Sequence, residues 1–370
     1  MFSELDHLHM SRALELASKG LFSATPNPRV GCVIIKDGDV VGEGWHRRAG
    51  EPHAEALALA QAGERARGAT VYVTLEPCSH FGRTPPCAKA LVEARVGRVI
   101  AAMEDPNPQV GGQGFALLRS AGIDVRCGLL HDEALALNVG FVSRMSRGRP
   151  WVRMKIAASL DGVTALANGT SQWITGEAAR HDGHYWRARA CAVLTGLGTV
   201  RQDNPTLNVR GWETARQPLR VVIDSRLEIN PAAQILQQGP GLGASLILAC
   251  APQGEPSPTQ LASAASLPVA WIASDAQGKT DLLAALQCLA MRGINELHVE
   301  AGYKLNGSLI KAGLVDELLI YFAPKLLGSG MGLAAIGPLD SIEDAAKFSI
   351  LEMTQVGDDF RVILQKLLTT

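Results

Sequence analysis

Between residues 53 and 87 the chain places one histidine and two cysteines, His53, Cys78 and Cys87, each directly after a proline. These three side chains can meet only where two helix starts and a strand end converge, and that requirement constrains the fold more than any other feature. His53 and Glu55 are two apart, which on a regular helix turns their side chains roughly 200° from one another. Both reach one point only from a helix end. Pro52 ahead of the pair and the alanine- and leucine-rich run 55–62 behind it place His53 in a first turn. Residues 70–75 read as a buried strand, with Pro77-Cys78 as the turn at its carboxyl end. Pro86 opens a helix over 87–95, where the helix dipole and a metal both favour the Cys87 thiolate.

One imidazole and two thiols make a three-ligand set for Zn²⁺, which leaves a fourth tetrahedral position for water, whereas a structural site is closed by four ligands. Zinc held this way lowers the pKa of its water from about 15.7 to about 7. The unligated Glu55 is then placed to take the water's proton and hand it to a departing amine, the chemistry of hydrolytic deamination. Structural readings compete with this one. His80 or Cys32 would close the site as a fourth ligand, with His80 otherwise a loop contact, and Glu76 is either a second acid/base or a turn hydrogen-bonder. A Cys78–Cys87 disulfide is disfavoured, because seven cysteines without a secretion signal point to a reducing cytoplasm. Cys127, Cys191, Cys250 and Cys288 lie in apolar runs and read as core.

The stretches 26–32, 52–55 and 76–87 resemble the deaminase half of the bifunctional deaminase–reductases of riboflavin biosynthesis. The generic deaminase pattern has two residues between its cysteines and this chain has eight, a spacing that belongs to the riboflavin family. The resemblance implies an α/β protein whose residues 1–147 form a three-layer α/β/α cytidine-deaminase-like domain.

The pattern around this segment agrees. A helix over 9–20, a hairpin of strands 30–36 and 40–44 about Asp37-Gly38, a strand over 98–103, a helix over 114–121 and a strand over 123–128 alternate as an α/β domain does. Asn27, in a loop stiffened by Pro26 and Pro28, either aims its amide at a base edge or serves as a turn residue. The polar, basic, helix-breaking run within 141–150 marks the boundary. At 370 residues and 47% hydrophobic content the chain suits two globular domains. A formal net charge of −1 removes the electrostatic basis for binding nucleic acid. No apolar run reaches the roughly 18 residues of a membrane span, so a soluble, cytoplasmic protein is expected.

Strands over 151–158, 190–194, 219–223, 245–249, 269–273, 297–299 and 318–322, with helices over 176–188, 279–291 and 303–312, predict a second α/β domain over 148–370. Strands 349–356 and 360–365 close it antiparallel. Runs 195–201 and 300–308 each follow a strand with glycines and hydroxyls suited to phosphate. The first carries Arg201 where a Rossmann pattern needs its third glycine, which disfavours that fold. Asp224 suits a ribose hydroxyl, and Ser225-Arg226 a 2′-phosphate, which favours NADP.

This half resembles the reductase half of the same family, which implies a dihydrofolate-reductase-like fold. By that resemblance Ala157, Trp173, Thr199, Asp203, Ser225 and the run Gly302, Tyr303, Lys304, Leu305, Asn306, Gly307, Ser308 line NADPH, while Ser171, Arg187, Leu207, Arg210 and Glu300 hold substrate. Arg187 and Arg210 offer forks that fit a 5′-phosphate, and Lys155 is placed to polarise or protonate a sugar oxygen. The expected reactions are zinc-dependent deamination of a diaminopyrimidinone ribosylamine 5′-phosphate, then NADPH-dependent reduction of its ribosyl group to ribityl. The expected partners are that small phosphorylated pyrimidine and further copies of the chain, with neither nucleic acid nor membrane. The rival readings are a tRNA-type deaminase with an appended nucleotide-binding domain, and a zinc-stabilised regulator without turnover.

Overall fold

Ser3 starts the first helix, α1 (Glu4–Ser18), with a capping box: its Oγ accepts from the Asp6 amide at 3.1 Å and its own amide donates to Asp6 Oδ2 at 2.8 Å. The helix therefore begins well before residue 9, where its apolar periodicity alone had placed it. The computed structural model describes residues 2–79, 86–251 and 266–367, and the chain divides into two units, Met1–Gly148 and Arg149–Thr370.

In the first unit β1 (Gly31–Lys36) and β2 (Asp39–Trp45) form a hairpin whose two turn residues, Asp37 and Gly38, both have positive φ, as a tight primed turn requires. There follow α2 (Ala54–Ala62), β3 (Thr70–Val73), α3 (Cys87–Glu93), β4 (Arg98–Ala101), α4 (Gln113–Ser120), β5 (Asp124–Cys127), α5 (His131–Leu137) and α6 (Val139–Arg147). The sheet order is β2-β1-β3-β4-β5. β1 runs antiparallel to both neighbours, and β3, β4 and β5 are parallel.

Glycines fix how closely the helices approach this sheet. A Cβ on Gly31 would lie 1.9 Å from the Ala13 carbonyl oxygen of α1, and one on Gly44 would lie 2.2 Å from the Ala54 carbonyl oxygen of α2. Gly44 pairs with Cys32 and Gly31 with Trp45, so Gly31 and Gly44 point to opposite faces. Helices α1 and α2 therefore cover opposite sides, and the three-layer architecture follows. Its core runs from Met10 and Ala13 through Val33, Ile34, Val71 and Val99 to Leu91 and Leu118.

Two expectations fail here. The run 141–150 does not break a helix: α6 continues to Arg147, whose Nη2 donates to Ser143 Oγ at 2.6 Å, and stops at Gly148 with φ 65°. Cys127 is exposed at the end of β5, an outer strand of the sheet, while Cys191 is buried and Cys250 and Cys288 are half-buried.

The second unit contains β6 (Trp151–Ser159), β7 (Ala165–Leu166), α7 (Glu177–Arg189), β8 (Ala192–Gly196), α8 (Leu197–Asp203), β9 (Leu219–Ile223), β10 (Ser245–Cys250), β11 (Val269–Ile272), α9 (Leu282–Met291), β12 (Glu296–Val299), α10 (Tyr303–Lys311), β13 (Glu317–Ala323), β14 (Gly330–Met331), β15 (Phe348–Val356) and β16 (Asp359–Lys366). Nine strands form one sheet in the order β11-β10-β9-β8-β12-β6-β13-β16-β15, and β14 pairs with β7 apart from it. The sheet is parallel from β11 to β13, with β16 and β15 antiparallel as expected. The carboxyl ends of β6, β8 and β12 lie side by side, the place where open α/β sheets bind ligands. Among the described residues no helix is long and apolar enough to cross a membrane.

Candidate active sites

In the first unit His53 is the N-cap of α2, in extended backbone, rather than a member of its first turn. That single non-helical residue turns its ring toward the cysteines while Glu55, the second helical residue, points into the interior at 3% exposure. Cys87 is the first residue of α3 after Pro86, and Cys78 lies in the loop beyond β3. His53 Nδ1 is 3.6 Å from Cys78 Sγ and 3.4 Å from Cys87 Sγ. Zn–S bonds of about 2.3 Å and Zn–N bonds of about 2.0–2.1 Å in a tetrahedron put S and N about 3.6 Å apart. The donor set and its spacing therefore fit zinc.

Electrostatics divide the two thiols: without a metal, Cys78 and burial push Cys87 well above its ordinary range, the reverse of the thiolate expected at a helix start, while Cys78 is lowered. Cys87 donates its amide to Cys78 Sγ at 3.3 Å. The Cys87 thiol and the His53 ring beside it hold the Cys78 thiol well below its ordinary range, against burial. Burial and the Cys78 thiolate push the Glu55 carboxyl up to about 7. Among the described residues the group of His, Cys, Asp and Glu side chains close enough to hold a metal ion is His53, Cys78 and Cys87. Cys32 is not part of it: wholly buried on β1, it is pushed up by burial and by Glu55. His80 lies outside the described residues.

Glu76 is resolved as a backbone anchor. Its carboxylate accepts from the amides of Asp105 at 3.1 Å, Gly112 at 2.9 Å, Gly114 at 2.8 Å and Phe115 at 3.2 Å, which leaves it no role as an acid/base. Asn27 has a partner that the sequence did not reveal. His46 Nδ1 faces the Pro52 carbonyl at 3.2 Å, and a carbonyl only accepts, so Nδ1 carries the proton. Nε2 then accepts from Asn27 Nδ2 at 3.0 Å, leaving the Asn27 carbonyl oxygen available. The His46 ring packs edge-on to His53, with centroids 5.3 Å apart.

The second unit holds a cavity of about 740 Å³, within the usual range for small-molecule sites. Its wall includes Lys155, Ala157, Ser171, Trp173, Arg187, Thr199, Asp203, Leu207, Arg210, Glu300, Gly302, Tyr303 and Asn306. Thirteen residues expected from the sequence thus meet in one place. Five do not reach the wall. Ser225 pairs with Thr280, Oγ to Oγ1 at 3.0 Å. Gly307 lies against the Ala335 backbone. Leu305 packs onto Gly196 and the core. Ser308 donates to the Lys304 carbonyl at 3.1 Å, one helical turn back. Lys304 is the fifth; it, Leu305, Gly307 and Ser308 lie on faces of α10 turned away from the cavity, which a contiguous motif cannot distinguish.

Arg187 is not a free fork. Nε and Nη2 clasp Glu300, the latter at 2.9 Å, and Nη1 donates to the Asn208 carbonyl at 3.1 Å. Burial favours a protonated Glu300, yet Arg187 outweighs it and holds the carboxyl well below the usual range. Arg210 Nη1 bonds Thr206 and Asn208 at 3.1 and 3.2 Å. Burial, helped by Arg187, lowers the Lys155 ammonium from its ordinary value. Leu207 takes a left-handed backbone with φ 52° and packs with Val193, Val200 and Val222. Asp224 is buried, accepting the Ile229 amide at 2.8 Å, so it closes a turn and is withdrawn from any ribose.

Sequence reasoning missed His184 and Arg180, which also line the cavity. With Arg187 they sit at i, i+4 and i+7 of one helix, a stripe that the predicted helix over 176–188 contained. Asn306 is 2% exposed and its Oδ1 has no hydrogen-bond partner among the described residues. An orphaned acceptor in a cavity wall fits a bound donor, such as a nicotinamide carboxamide.

Residues 3–103 match the family model described as the cytidine and deoxycytidylate deaminase zinc-binding region, and residues 150–362 match the RibD C-terminal domain. The riboflavin biosynthesis protein RibD of Escherichia coli is 47% identical over 374 residues, covering 96% of this chain and 97% of the relative. RibD of Acinetobacter baumannii has a solved structure with a TM-score of 0.88 and 43% identity, covering 98% of this chain and 99% of that one. A Thermotoga maritima structure described as a diaminohydroxyphosphoribosylaminopyrimidine deaminase/5-amino-6-(5-phosphoribosylamino)uracil reductase has a TM-score of 0.84 and 32% identity, with coverage of 98% and 99%. Full-length likeness of this kind does not favour the tRNA-type deaminase. With a zinc-binding deaminase unit and a reductase unit matched along its whole length, the chain belongs to the riboflavin biosynthesis RibD family of bifunctional deaminase–reductases, which use Zn²⁺ and NADPH.

Proposed function

We propose that His53, Cys78 and Cys87 hold Zn²⁺ beside Glu55 for hydrolytic deamination of a diaminopyrimidinone bearing a phosphoribosylamino group. The cavity of the second unit then reduces the ribosyl group of the product to ribityl with NADPH. The observation that carries the first step is the 3.4 and 3.6 Å spacing of imidazole nitrogen and sulfurs with a buried carboxyl alongside. Zinc, when bound, supplies a water acidic enough to ionise near neutral pH. Glu55 takes up a proton and releases it to the leaving amine, a task suited to a carboxyl at about 7. Asn27, its amide nitrogen committed to His46, presents its carbonyl oxygen to an N–H of the pyrimidine.

In the second unit Ala157, Trp173, Thr199, Asp203, Gly302, Tyr303 and Asn306 seat NADPH, which supplies the hydride. Ser171 and Arg210 take the 5′-phosphate. Arg187 acts through Glu300, fixing the carboxylate that meets the substrate. Lys155 donates a hydrogen bond to the sugar oxygen. The substrate class is the one named in the Thermotoga protein's description, and the two sites' chemistries, one hydrolytic and one cationic, suit its amine and its phosphate.

The expected second copy of the chain fits the outer edge of the large sheet. There β15 leaves Ile350, Leu351 and Met353 about 60% exposed, and an unpaired apolar edge strand favours strand-to-strand association. Light scattering of the wild type and of Met353→Lys tests it.

The central experiment supplies the diaminopyrimidinone phosphate and NADPH to the purified chain and follows ammonia release and NADPH absorbance together. Sequential appearance of ammonia and loss of NADPH is expected. NADPH consumption without ammonia release overturns the order of steps.

A further inference from the structure

Trp173 is a large apolar side chain that stands 65% exposed in the wall of the reductase cavity. Its backbone is tightly held. Lys325 Nζ donates to the Ile174 carbonyl at 2.8 Å and the Trp173 carbonyl at 3.4 Å. The Gly176 amide, three residues after Trp173 at the cap of α7, donates to Asp359 Oδ2 at 2.7 Å. None of these bonds restrains the indole itself. The Arg180 guanidinium does: its Cζ lies 4.6 Å from the ring centroid. Arg180 is in turn pinned, with Nη1 donating to the Thr175 carbonyl at 2.7 Å. Arg180 also lines the cavity, so the stack forms part of the surface a ligand meets.

We infer that Arg180 is a positioning residue of the reductase, holding the Trp173 indole in place as the aromatic wall against which NADPH is seated. The inference rests on the reading that Trp173 contacts NADPH. An indole this exposed gains little from burial and is free to turn about its side-chain bonds. A cation stacked at an exposed site favours the stacked rotamer roughly two- to fivefold. Arg180 thus removes part of the conformational cost of binding the cofactor.

The test measures KM for NADPH and kcat on the full chain with saturating diaminopyrimidinone phosphate, with ammonia release from the other unit as an internal control. Arg180→Ala is expected to raise KM for NADPH two- to fivefold with a smaller change in kcat. Arg180→Lys, which keeps the charge and loses the planar face, should fall between. The decisive arm is Arg180→Ala in a Trp173→Ala background, where no further rise is expected. Energy transfer from tryptophan to bound NADPH, taken as a difference against Trp173→Phe, should fall in Arg180→Ala at equal occupancy. A rise that persists without the indole, or one in KM for the phosphorylated pyrimidine, shows Arg180 gripping an anion directly and overturns the inference. If Trp173→Ala alone leaves KM for NADPH unchanged, the reading of Trp173 fails, and the inference fails with it. If Trp173→Ala raises KM and Arg180→Ala does not, only the inference fails.

Discussion

Arg187 and Glu300 satisfy one another in the wall of the reductase cavity through a two-point ion pair, with Nη2 at 2.9 Å from Oε2 and Nε bonded to Oε1. Their side chains are 15% and 14% exposed, dry enough for an unpaired member to be costly. Glu300→Gln should destabilise the second unit by about 3 kcal/mol, because it strands a guanidinium that is mostly withdrawn from water. Arg187→Met with Glu300→Gln should recover much of that loss. Five of the six tryptophans lie in this unit, so urea unfolding followed by tryptophan fluorescence reports on it. A double variant less stable than either single one argues against the pairing.

His184 gives the unit an acid-sensitive point. Burial, together with Arg187 and Arg210, lowers its ring to about 4. In the unfolded chain a histidine protonates near pH ~6.5. Between those values the unfolded state binds more protons, so stability rises with pH across the window and is complete above it. His184→Asn should flatten that slope, measured by urea unfolding at about pH 5 and about pH 7. An unchanged slope refutes the assignment.

Glu55→Gln keeps the shape of the side chain and removes its capacity to carry a proton. Ammonia release should fall by about a hundred- to ten-thousand-fold, while zinc measured by elemental analysis stays at wild-type stoichiometry. Cys87→Ser should lose zinc and ammonia release together. NADPH consumption with pre-deaminated substrate should survive both changes.

The site can also be disturbed without touching a ligand. Gly44 lies under the start of α2, and an added Cβ would come within 2.2 Å of the Ala54 carbonyl oxygen, 2.8 Å of Leu57 Cβ and 2.9 Å of the Ala58 amide nitrogen. Gly44→Ala must push the helix outward by about an ångström, enough to lower deamination on the order of tenfold to a hundredfold. Steady-state ammonia release with a zinc determination on the same sample decides it. Full activity would show that the helix tolerates the shift.

The meeting of His53, Cys78 and Cys87 was legible because proline punctuation and spacing are local signals: Pro52, Pro77 and Pro86 mark chain directions within a few residues of each side chain. Strand β9 matched its expected limits for a similar reason, its leucine, valines and isoleucine being bounded by Pro218 and by the polar pair Asp224-Ser225. What escaped depended on partners far along the chain. His46 acquires meaning from Asn27, 19 residues away, and the Arg187 forks are filled by Glu300, 113 residues away. Helix α6 was misread because its basic residues look like a linker until Gly140 and Ser143 are seen buried beneath them. Within 302–308 a contiguous motif named every residue, whereas a helix turns only some of them toward one side.

Glu76 stands two residues before Cys78, and its carboxylate gathers amides from Asp105 to Phe115. That one side chain ties the segment carrying Cys78 to the start of α4, across a gap of 29 to 39 residues. The two segments should therefore open to solvent as a single cooperative patch. Deuterium uptake at the amides of Gly112, Gly114 and Phe115 becomes a distant gauge of whether the deaminase site is assembled.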